Sequence, residues 1–76
     1  MDMSEAVLSV LREEDRPLHW TVIQDLALRR GYIDPFEQTE IRKRLLAAIA
    51  ELVASGAVVK TGVGVYEARA GDGPEA

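Results

Sequence analysis

Between Ile41 and Val53 the chain repeats apolar residues at helical spacing over about four turns: Ile41, Leu45, Ala48, Ile49, Leu52 and Val53. Residues four, seven, eight, eleven and twelve places beyond the first return to one side of a helix, so this segment has a face to bury. Thr39 is the expected N-cap, and Ser55-Gly56 supplies the glycine stop. Such a helix draws its stability from whatever covers its stripe. The chain has 76 residues and no cysteine, which allows one domain and removes disulfides and thiolate metal sites together. Apolar packing alone must hold the fold.

Beyond Gly56 the period changes. Ala57-Val58-Val59-Lys60-Thr61 and Val65-Tyr66-Glu67-Ala68-Arg69 are strand-like runs on either side of Gly62-Val63-Gly64. The two glycines allow the positive φ of a tight hairpin. An isolated hairpin is marginal in water, so this one must lie against the helices.

Before Ile41 the pattern predicts two shorter helices. The first runs from Met3 to Glu14, with Asp2 and Glu5 at capping-box spacing and Ala6, Val7, Val10 and Leu11 on one stripe. Pro17 stops it, and Leu18 reads as an extended link. The second runs from Trp20 to Arg30, capped by His19 or Thr21, with Ile23, Leu26 and Ala27 inward. Arg29 and Arg30 suit the negative end of its dipole, and Gly31 its left-handed close. A turn started by Asp34 and Pro35 leads toward Thr39. Trp20, Tyr32, Phe36 and Tyr66 are expected in the core or at its edge. The fold class is therefore mainly α with a small β-hairpin. Three helices and a short wing form a winged helix-turn-helix over residues 1–69, with a disordered acidic tail over residues 70–76.

Ala6-Val7-Leu8, Arg16-Pro17-Leu18-His19-Trp20, Ile23, Arg30-Gly31-Tyr32-Ile33, Gln38-Thr39-Glu40 and Gly62-Val63-Gly64-Val65-Tyr66-Glu67 together resemble the HARE-type winged helix domain. The resemblance covers residues 4–69. The Pro-Leu-His-aromatic entry to the second helix and the Gly-x-Gly-x-Tyr close are its informative parts. Members of that family occur in the delta subunit of bacterial RNA polymerase, in chromatin-associated proteins and beside nuclease domains. The resemblance implies a DNA-binding or adaptor module.

Charge points to the middle of the chain. The net charge is −4, which disfavours indiscriminate binding to a polyanion. Yet from Arg29 to Thr61 six cations face four acids, a net of +2, while the remainder has three against nine, a net of −6. Arg42, Lys43 and Arg44 stand in the opening turns of the third helix, where cations oppose the dipole but backbone N–H groups are free for phosphate. With Thr39 before them and Lys60 and Thr61 on the wing, they are the expected contacts to double-stranded DNA.

A rival surface is apolar: Trp20, Leu28 and Leu46, with Leu8, fall off the inward stripes and would form a patch for a second copy, RNA polymerase or another regulator. No catalytic constellation is visible. His19 is the single histidine, better suited to capping, and Glu13-Glu14-Asp15 and Glu37 with Glu40 read as solvated acids. No enzyme activity, cofactor, metal or small-molecule substrate is expected. No apolar run reaches the roughly 20 residues of a membrane span, and the acidic start is unlike a signal peptide. The expected address is cytoplasmic, without a membrane partner.

Overall fold

Asp2 begins the fold as its sequence predicts. Its carboxylate accepts the Glu5 N–H at 2.8 Å, and the Glu5 side chain accepts the Asp2 N–H at 3.1 Å. This reciprocal cap opens α1 (Met3–Glu14), which buries Ala6, Val7, Val10 and Leu11. The helix ends at Asp15 in the left-handed region, φ 52°, where aspartate is among the better tolerated non-glycine residues. The computed structural model describes residues 1–69; the expected acidic tail lies outside them.

Leu18 is more than a link. Leu18 and His19 form β1 (Leu18–His19), which pairs antiparallel with β3 (Val65–Ala68), Leu18 opposite Tyr66 and His19 opposite Val65. β2 (Val58–Gly62) flanks β3 on its other side, giving the order β1-β3-β2. The expected bare hairpin is thus a three-stranded antiparallel sheet. Leu18 is buried while His19 is exposed, the alternation of a strand with one face on the core.

Between β1 and the hairpin lie α2 (Trp20–Arg29) and α3 (Ile41–Ser55). His19, not Thr21, caps α2: its Nδ1 accepts the Thr21 N–H at 3.3 Å. At the other end Gly31 takes φ 75°, and the Tyr32 and Ile33 N–H groups turn back to the Ala27 carbonyl at 2.9 and 3.3 Å. That reversal drives Ile33 into the core, 1% exposed. Asp34 then organises the turn expected of it: its side chain accepts the Phe36 N–H at 2.9 Å, and its carbonyl accepts from Glu37 and Gln38.

α1 and α3 supply most of the core, with Ile23, Ala27, Leu18, Ile33 and Val58 filling between them. Leu45, Ala48, Ile49 and Leu52 of α3 are buried as the stripe predicts. Val53 is exposed, because its 100° step beyond Leu52 carries it past the buried arc. Leu8, Leu28, Trp20, Tyr32 and Tyr66 pack, half-buried, against the edge of the core. Phe36 departs furthest from expectation: the Asp34 turn holds it 97% exposed. The element order, the small sheet and the long third helix are those of a winged helix.

Candidate nucleic-acid interface

α3 starts without a side-chain cap. Glu40, at φ 52°, is its N-cap residue and makes no capping bond. Thr39 therefore lies one place outside the helix and does not perform the capping role expected of it. The first turn carries no acidic residue. The earliest intrahelical bond runs from the Arg44 N–H to the Glu40 carbonyl at 3.0 Å. The N–H groups of Ile41, Arg42 and Lys43 precede it and have no helical acceptor.

Arg42, Lys43 and Arg44 surround these free donors, and all three are exposed. At about 100° per residue they fan across roughly 200° of the helix circumference. Lys43 takes the direction opposite the buried stripe, and Arg42 and Arg44 lie to either side. Glu40 neutralises little of this charge. It reaches Lys43 at 3.8 Å with both side chains largely exposed, a geometry of small energetic value. Among the described residues, Arg42 and Arg44 form no ion pair, and Glu37 pairs with neither.

The cations of α2 are occupied elsewhere. Arg29 pairs with Asp25 at 3.0 Å, one turn earlier. Arg30 reaches across to the end of α1, donating to Glu13 at 2.7 Å and to Glu14 at 2.6 Å. Arg16 adds a longer bond to Glu14, and the Tyr32 hydroxyl donates to Glu13 at 2.5 Å. The hydrogen bonds and charge of Arg30 hold the Glu14 carboxyl below its ordinary pKa. The bond to Glu13 pushes the Tyr32 phenol up, since ionisation would place two anions side by side. This cluster fastens α1 to α2.

Lys60 and Thr61 lie exposed on β2, with an irregularity in the β2–β3 register between Lys60 and Gly62. The wing tip presents Val63, 93% exposed, and no charge. Past its basic turn, the outer face of α3 consists of Leu46, Ala47, Ala50, Val53 and Ala54, with Glu51 at its margin. Of the residues expected at an apolar patch, Leu46 stands on this face, while Trp20 and Leu28 lean on the core from α2. The structure thus gathers Arg42, Lys43, Arg44 and Leu46 on one helix. Lys60 and Thr61 come from the sheet.

His19 is committed to its cap, with its ring 5.7 Å from that of Trp20. Among the described residues no three His, Cys, Asp or Glu side chains are grouped to hold a metal. No described helix is long and apolar enough to cross a membrane. Sequence reasoning missed the exposure of Phe36; the Asp34-Pro35 turn signal marks the bend but does not say which way the ring points. No family model, curated protein or solved structure matches the chain.

Proposed function

We propose that this chain is a DNA-binding winged helix that regulates transcription, placing the start of α3 in the major groove of duplex DNA. The observation that carries the reading is the uncapped, acid-free first turn of α3, with free N–H donors and three exposed cations. A phosphate satisfies the donors and offsets the cost of cations at the positive end of the helix dipole. The fan of side chains suits a groove: Arg42 and Arg44 address opposite walls while Lys43 faces the floor. Ala47 and Leu46 follow on that outer face and offer apolar contact to thymine methyl groups. Lys60 and Thr61 add backbone contacts from the wing. The chain acts as a binding module without catalysis, in the cytoplasm beside the DNA. Titration of duplex DNA at two salt concentrations tests this, and no binding at low salt overturns it.

One observation favours a second reading. The outer face of α3 beyond Arg44 is apolar, and the wing tip bears no cation. An adaptor docking on RNA polymerase, another regulator or itself would use those surfaces without touching DNA. Capture of a partner with no DNA binding at low salt would support it.

A further inference from the structure

Phe36 is 97% exposed, yet it is not on a loose loop. The Asp34 side chain accepts its N–H, and the Asp34 carbonyl accepts those of Glu37 and Gln38, which orders the turn. An aromatic ring on an ordered turn gives up only two side-chain torsions when a pocket covers it, which suits an interface anchor. Asp34 and Glu37 flank it, both exposed. Acids on both sides repel phosphate, so the ring is badly placed as a wedge between bases. They call instead for an apolar seat bordered by a cation.

The chain carries such a seat. On the outer face of α3, Leu46, Ala50 and Val53 form an exposed apolar ridge with a small residue at its centre. Arg42 borders its N-terminal end and, among the described residues, has no ion pair. Phe36 does not cover the ridge within its own copy, since the ring is free. We propose that a second copy of this chain is the occupant: Phe36 of each protomer seats on the α3 ridge of the other, and Glu37 faces Arg42 across the contact. Exchange of two identical contacts about a two-fold axis closes the assembly at a dimer. The dimer engages Arg42, one of the cations assigned to DNA, so self-association and DNA binding compete. The dimer itself goes beyond the DNA reading and does not rest on it.

Sedimentation of the full chain without DNA, from about 1 μM to about 1 mM, tests the proposal across the range of weak homodimers. The expected result is a concentration-dependent rise toward twice the 8.4 kDa chain mass. Phe36→Ser removes the ring and Ala50→Glu spoils the seat, and each should weaken the dimer by at least about tenfold. Both positions are exposed, so thermal melts should match the parent and exclude misfolding as the cause. An equimolar mixture of the two variants retains one intact contact and should associate more strongly than either alone. A parent that stays monomeric throughout overturns the proposal, as does a Phe36→Ser variant that dimerises like the parent.

Discussion

The Trp20 N–H donates to the Gly64 carbonyl at 2.9 Å, tying the first residue of α2 to the turn of the hairpin. Leu18 and His19, just before Trp20, pair with Tyr66 and Val65, just after Gly64. The two distinctive sequence stretches, Pro17-Leu18-His19-Trp20 and Gly62-Val63-Gly64-Val65-Tyr66, are thus halves of one junction. Their separation along the chain conceals that they touch. The junction fastens the wing to α2, which explains how a two-residue strand survives.

Among the described residues, Gly64 should be the least replaceable glycine. It takes φ 69°, and a Cβ there would lie 2.8 Å from His19 Nε2 and 3.3 Å from Trp20 Cδ1. Gly31 has a similar φ of 75° but open space around it. Gly31→Ala therefore meets only the left-handed penalty of about 1–2 kcal/mol. Gly64→Ala adds displacement of His19, the cap of α2, for a total of about 2–4 kcal/mol. Urea denaturation of both variants checks this, and equal losses would show that the His19 ring yields freely.

The α3 stripe makes a contrast within one helix. Leu45 and Ile49 are buried at 0% and 1% exposure, and either change to alanine should cost about 2–5 kcal/mol. Leu46→Ala and Val53→Ala, at 36% exposure each, should cost less than about 1 kcal/mol, because water already reaches those side chains. Chemical denaturation of the four variants measures the difference. A large loss at Val53 would return it to the core face.

The Arg30 cluster makes stability depend on pH at both extremes. Glu14 has a lowered pKa when folded, so its contribution is present above its ordinary value of 4.5 and is lost as pH falls through the lower folded value. Tyr32 has a raised pKa, so its contribution is present below its ordinary value of 10.0 and is lost as pH rises through the higher folded value. Arg30→Gln should flatten the acid limb, and Tyr32→Phe the alkaline limb. Thermal melts across the pH range report each limb separately.

What the sequence discloses here is what neighbouring residues decide. The Asp2–Glu5 cap, the bounds of α1, the close at Gly31 and the buried face of α3 all follow from residues within a few positions of one another. Thr39 fails as a cap because the path into α3 puts Glu40, in the left-handed region, at the N-cap position. β1 is too short for any period to register. Phe36 has the composition of a core residue, but the Asp34 turn decides its direction. At the candidate site, Arg42 to Arg44 were legible as a run of charge. Which acids failed to neutralise them was not, because Glu37 and Glu40 lie near them in sequence and only Glu40 reaches a cation.

The last prediction separates the contacts assigned to DNA. Each neutralised phosphate releases counterions, so losing one contact should lower the log–log salt slope of binding by about 0.9. Arg42→Ala and Arg44→Ala, on opposite sides of α3, should each lower the slope by about that amount while leaving sequence preference unchanged. Lys43→Ala should act differently. Its side chain faces away from the buried stripe, toward the groove floor in the proposed pose, so its loss should relax preference at one base position and cost about 1–3 kcal/mol there. Lys60→Ala should weaken binding mildly and uniformly across sequences, as a backbone contact from the wing does. Fluorescence anisotropy with a small panel of duplexes, each titrated at several salt concentrations, measures slope and preference together. Equal effects from Lys43 and its two neighbours would place all three on phosphate and take α3 out of the groove.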